Sequence, residues 1–198
     1  MREEVTCVIP ARWKSSRFLG KPLALISGKS LISRVYRNAA NAPGVKDVVV
    51  ATDDERIFEH CNQNGMQVMY TSEECDSGSA RVAEVAQTLV SPYLFELQGD
   101  QPLVTASVIG DFLSKCEGEF KKFPTTDVVI PVAACSERDL RSHDVLKVFM
   151  DRNQRLLFQS RQPIRTGYRT LGLYLWKRDC LLAFARLPAC QIEIHEQS

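Results

Sequence analysis

Three short runs of mostly β-branched and aromatic residues, 5–9 (VTCVI), 47–52 (DVVVAT) and 93–97 (YLFEL), are separated by stretches with helical spacing. A near-continuous apolar run such as 47–52 needs cover on both faces, the situation of a parallel strand between two layers of helix. Leu31, Ile32, Val35 and Ala39 share one face of a helix predicted over 31–42. This alternation confines the chain to an α/β fold, a three-layer sandwich with a mostly parallel mixed sheet. In such a fold ligands are received at the carboxyl ends of the strands.

The rest of the pattern adds a strand at 67–71 and helices at 53–61, 80–89, 105–120 and 178–187. Further strands are predicted at 127–133 and 170–176. Strands 143–150 and 155–159, joined by a turn at 151–154, form an antiparallel hairpin attached to the parallel core. No repeat, low-complexity segment or linker interrupts the 198 residues, so one domain over 1–198 is expected. Lys plus Arg is 25 and Asp plus Glu is 24, a balance that gives no reason to expect nucleic acid or an anionic membrane as partner. The seven cysteines are scattered, with no Cys-x-x-Cys and no histidines at metal-ligand spacing, which reads as reduced thiols in a cytoplasmic protein. The N-terminal apolar run is too short for a signal-peptide core or a membrane span.

Two loops carry chemistry. The first strand stops at Pro10 and Ala11, and the loop after it holds Arg12, Lys14, Arg17 and Lys21 together with Ser15, Ser16 and Gly20. Arginine forks and mobile lysine charges beside a glycine suit a polyphosphate; a solvated basic loop is the alternative on charge alone. Gly28-Lys29-Ser30 imitates the end of a Walker A loop but lacks glycine at position 23, so Gly28 is read as a turn and Lys29-Ser30 as the helix start, with Ser30 the cap. The second loop, Gln98-Gly99-Asp100-Gln101-Pro102, sets a carboxylate at the tip of a buried strand. Such a carboxylate can hold a hard cation or simply make a turn. His60, His143 and His195 have no catalytic partner at suitable spacing, and Trp13 could pack or stack on a base.

The phrase P-A-R-x-x-S-x-R-x-x-G-K-P-L over 10–23 resembles the signature loop of the sugar-activating cytidylyltransferases, most closely the 3-deoxy-manno-octulosonate cytidylyltransferase (CMP-Kdo synthetase) family. V-A-T-D-D-E at 50–55, D-S-G-S-A-R-V-A-E-V at 76–85 and Q-G-D-Q-P at 98–102 extend the likeness, and Lys147, Ser160 and Arg161 continue it. The resemblance implies a nucleotide-diphospho-sugar transferase-like fold and transfer of CMP from CTP to the acidic sugar Kdo for lipopolysaccharide synthesis. It also implies Mg²⁺ as cofactor and a homodimer. Carried over, it makes Arg12, Arg17, Lys21 and Asp100 catalytic, with Asp100 the metal ligand. Pro10, Ala11, Arg12, Ser77, Gly78 and Arg81 would bind the nucleotide, and Gln98, Arg161 and Tyr174 the sugar acid.

The departures matter for the acceptor. Leu19 replaces a proline, Gln101 a glutamate, Thr170 a histidine and Arg165 a proline of the family pattern. Glu193 and Glu196 resemble the start of the family's glutamate-bearing helix, and the sequence ends at Ser198, before the strand and helix with a second metal-binding aspartate. Two alternatives therefore stay open, a different acidic sugar such as a nonulosonic acid, and a catalytically weak nucleotide-binding subunit.

Overall fold

The structure, a computed structural model, describes residues 5–14, 18–188 and 190–191. Its strands are β1 (Val5–Ala11), β2 (Leu25–Ile26), β3 (Lys29–Ser30), β4 (Val45–Thr52), β5 (Val68–Tyr70), β6 (Tyr93–Leu97), β7 (Val128–Val129), β8 (Val132–Ala134), β9 (Lys147–Met150), β10 (Leu156–Ser160), β11 (Tyr168–Thr170) and β12 (Leu173–Lys177). The helices are α1 (Leu31–Ala40), α2 (Glu55–Gln63), α3 (Gly78–Ala86), α4 (Ala106–Lys122), α5 (Glu137–Arg141) and α6 (Arg178–Phe184). The described residues fall into two compact units, those within 1–129 and 174–187, and those within 130–173 and 188–198.

The first unit is built on a six-stranded sheet in the order β5-β4-β1-β6-β12-β7. β1 pairs in parallel with both β4 and β6, and β4 in parallel with β5, while β12 and β7 run antiparallel at the other side. Side chains alternate across β1 and β6 as the two-residue period requires. Val8 and Leu94 join Val82 and Ala86 of α3 and Leu181 of α6 in one buried cluster. Phe95, one residue on, turns the other way to meet Phe112 of α4, with ring centroids 5.8 Å apart. The sheet is therefore covered on both faces, the mostly parallel sandwich expected from the apolar runs.

The second unit carries its own four-stranded sheet, β10-β9-β11-β8, in which every registered pair is antiparallel. The β9–β10 hairpin forms as expected around 151–154, with the Asp151 carboxylate accepting from the backbone N–H of Asn153 and Arg155. It belongs to this separate sheet rather than to the parallel core. Two stretches expected as single strands are each divided. Residues 127–133 break between β7 and β8 at Pro131, which has no N–H to donate, and its carbonyl instead accepts from Leu171. Residues 170–176 break between β11 and β12 at Gly172, whose φ of +70° only glycine adopts cheaply.

Smaller differences have local causes. Ser27 and Gly28 both take positive φ and close a tight β2–β3 hairpin, so Lys29 is in a strand and the helix begins after Ser30. Ser30 caps α1 as expected, accepting from the N–H of Ser33. Helix α5 had no counterpart in the sequence reading, although Ser136 and Asp139 make a capping box at its start.

Candidate active site

The basic loop is shaped by one aromatic ring. Gly20 donates its N–H to the Trp13 carbonyl at 3.0 Å and lies flat on the indole, where an added Cβ would sit 2.7 Å from a ring carbon. The Arg56 guanidinium stands 3.6 Å from the Trp13 ring centroid, held by Asp54 through two hydrogen bonds of 2.6 and 2.9 Å. Arg56 also holds the Asp54 carboxyl below the usual range, its side-chain hydrogen bond being the largest cause. Trp13 is thus a packing residue that closes the loop between Gly20 and α2.

From that loop Lys21 reaches across to the second motif. Its Nζ lies 2.6 Å from Asp100 Oδ2, with the two side chains 37% and 45% exposed, so both can still meet a ligand. The approach depends on Gly99, where a Cβ would come within 3.0 Å of the Pro10 carbonyl oxygen at the end of β1. Pro10 and Ala11 are buried as the last residues of β1, in register with Ala51 and Thr52. Arg12 is exposed just beyond them. Arg17 lies outside the described residues, as do Glu193, His195 and Glu196.

The third motif joins the same place. Ser77 caps α3 by accepting from Ala80 N–H, and Gly78 packs its bare Cα against Gln98, whose Nε2 would be 3.2 Å from a Cβ there. Gln98 donates to Glu96 Oε1 at 2.7 Å. Arg81 behaves differently from an exposed phosphate ligand. It is 2% exposed, donates to Asp53 Oδ2 at 2.8 Å, and also bonds Thr71 Oγ1 and the Ser72 carbonyl. Its charge is spent on fixing the ends of β4 and β5 beside α3.

Tyr174, on β12, stacks beside Trp176 with centroids 6.2 Å apart. Arg161 belongs to the second unit, where its Nη1 donates to the Asp144 carbonyl at 3.0 Å and its own carbonyl accepts from the fully buried Lys147. Thr170, in the place of the family histidine, uses its hydroxyl to accept from Gly172 N–H. His60 is tied to Ser30 and Ser33 through Nε2, at 2.8 and 3.2 Å, a structural role.

Among the described residues no group of three or more His, Cys, Asp or Glu side chains converges as a metal cage. A site of one carboxylate completed by phosphate oxygens is the arrangement a small hard dication favours, and half-exposed Asp100 beside a phosphate-type lysine fits it. The arrangement can therefore align a polyphosphate between loop cations and a strand-end carboxylate.

Two residues at the site escaped the sequence reading. Glu96 and Trp176 meet beneath Gln98, the indole Nε1 donating to Glu96 Oε2 at 3.3 Å. The available signal was a carboxylate inside the otherwise apolar run 93–97.

Comparison with known proteins shows the family. The 8-amino-3,8-dideoxy-manno-octulosonate cytidylyltransferase of Shewanella pealeana is 38% identical over 96% of this chain and 81% of its own. The 3-deoxy-manno-octulosonate cytidylyltransferase of Geobacter metallireducens is 34% identical over 98% of this chain and 83% of its own. A solved structure of CMP:2-keto-3-deoxy-manno-octonic acid synthetase complexed with CTP superposes with a TM-score of 0.85 at 31% identity, over 98% of this chain and 82% of the other. HddC from Yersinia pseudotuberculosis, 13% identical with a TM-score of 0.68 over 90% of this chain and 79% of its own, shares the fold. The family model described as cytidylyltransferase matches residues 6–197, and the chain belongs to that family.

Proposed function

We propose that the protein transfers CMP from CTP to 3-deoxy-manno-octulosonate, releasing pyrophosphate. The observation that carries this reading is the 2.6 Å pair of Lys21 and Asp100, a phosphate-type cation meeting a strand-end carboxylate in a chain of the cytidylyltransferase family. In the reaction the anomeric hydroxyl oxygen attacks the α-phosphorus as the bond to the bridging oxygen breaks. Pyrophosphate leaves with the electron pair, and the hydroxyl proton passes to water. Such a displacement asks for alignment and charge neutralisation more than for covalent help.

Arg12, Arg17 and Lys21 hold the triphosphate in line. The backbone of Pro10, Ala11, Ser77 and Gly78 receives the nucleoside, and Arg81 supports that wall from inside through Asp53. Gln98 and Tyr174 receive the sugar acid. A divalent cation, which we take to be magnesium, would be held by Asp100 and would neutralise charge on the phosphate oxygens when bound. The same reading makes the protein a cytoplasmic homodimer supplying activated sugar for lipopolysaccharide synthesis.

The test is pyrophosphate release from CTP over a magnesium titration. Asp100→Asn is expected to lower turnover about 100-fold or more, the scale of losing one electrostatic stabiliser; unchanged turnover across the titration removes Asp100 from this role. A second acceptor, 8-amino-3,8-dideoxy-manno-octulosonate, is favoured by the 38% identity to the Shewanella pealeana enzyme of that name. The ratio of kcat/KM for the two acids decides between them, and no release with either overturns the proposal.

A further inference from the structure

Among the described residues Glu96 is the one buried acidic side chain, 1% exposed. Three donors reach it from three elements. Gln98 Nε2, just past the end of β6, donates to Oε1 at 2.7 Å. Ser79 Oγ, in the first turn of α3, donates to Oε2 at 2.8 Å, and Trp176 Nε1 of β12 donates to the same oxygen at 3.3 Å. An apolar side chain would fill this space at lower cost, because desolvating a carboxylate is offset only by complete hydrogen bonding.

What the carboxylate adds is direction. An ionised carboxylate accepts and cannot donate, so the NH₂ end of the Gln98 amide must face it and the carbonyl oxygen must face away. An amide orientation that geometry alone often leaves ambiguous is here fixed by its partner. Gly78 keeps the amide in place, since a Cβ would lie 3.2 Å from both Gln98 Nε2 and Glu96 Oε1. Gln98 remains partly exposed, and among the described residues none donates to its Oε1.

Resting on the assignment of Gln98 to the sugar acid, we propose that Glu96 is a positioning residue for the acceptor: it locks Gln98 with its carbonyl oxygen outward, so that the acceptor is read through a hydroxyl donor. In Glu96→Gln the new side chain keeps its oxygen where Ser79 and Trp176 donate, and its NH₂ takes the Oε1 position. Gln98 must then turn over and present NH₂ to the acceptor, where a hydroxyl had met a carbonyl.

Two measurements on the full chain at pH 8 test this. In the ¹⁵N-labelled wild type without ligands, the Gln98 side-chain NH₂, identified by its loss in Gln98→Glu, is expected to exchange slowly with solvent. In Glu96→Gln the exchange becomes fast, KM for the sugar acid rises about tenfold, the scale of one mismatched polar contact, and KM for CTP stays within about twofold. The double variant Glu96→Gln/Gln98→Glu restores an outward acceptor and recovers most of the loss, which Gln98→Glu alone does not. Fast exchange in the wild type, equal rises in both KM values, or no recovery in the double variant overturns the proposal. A wild type that releases no pyrophosphate with either acid overturns the transfer reading instead, whereas slow amide exchange still supports the Glu96–Gln98 lock.

Discussion

At the scale of single residues, Glu96 links the site to the stability of the fold. Burial raises its carboxyl from 4.5 to about 7, against the opposing pull of Ser79, Trp176 and Gln98. Between those values the native protein keeps a proton that the unfolded chain has lost, so unfolding becomes easier as pH rises. About 2.5 pH units at 1.36 kcal/mol each gives a loss of about 3 kcal/mol from pH 4.5 to 7, and no further loss from this group above that range. Urea unfolding at pH 5 and pH 8 is expected to give the wild type this falling contribution and Glu96→Gln none of it. Equal pH dependence in the two proteins would exclude Glu96 as its source. Nothing in the sequence marks this group as special beyond its charge, because its partners come from three elements as far apart as Ser79 and Trp176. Lys21 and Asp100 were legible for the opposite reason: each stands in a local motif whose loop must open at a strand end, and the parallel pairing of β1 with β6 brings those ends side by side.

At the scale of elements, the caps hold the site's walls. Ser77 Oγ accepts from Ala80 N–H at 3.1 Å and starts α3 directly beneath Gly78 and Ser79. Ser77→Ala is expected to cost about 1 kcal/mol, lowering Tm by about 2–4 °C for a chain of this size, while Ser77→Thr keeps the cap and most of the Tm. A thermal melt in which both variants match the wild type would deny the cap any role. Elements whose signals are local were readable, β6 to the residue at Tyr93–Leu97 and the Ser30 cap of α1, although Lys29, expected at the helix start, lies in β3. Strands β7 and β8, and then β11 and β12, were not, because an apolar run shows the need for burial and not which sheet supplies it. Pro131 and Gly172 stood in those runs, and their backbone restrictions outweighed the β propensity around them.

At the scale of the molecule, the sheet of the second unit ends, among the described residues, on the strand β10. β10 is the terminal strand of its sheet, and its Leu156, Leu157 and Phe158 are 45%, 63% and 39% exposed. Phe158 stacks on Phe149 of β9 with centroids 4.2 Å apart and stays 39% exposed despite that contact. Isolated proteins usually blunt such an edge with charge or proline, and here the strand Leu156–Ser160 has neither. A second copy of this chain is the partner that the homodimer reading supplies, and an isologous contact would bury Leu157 against its own counterpart. Leu157→Asp would set two carboxylates together in that contact. Light scattering is therefore expected to give the mass of two chains for the wild type and of one for Leu157→Asp, with an unchanged far-ultraviolet dichroism spectrum. A variant that still scatters as two chains moves the dimer contact away from β10, and a wild type that scatters as one chain overturns the homodimer reading.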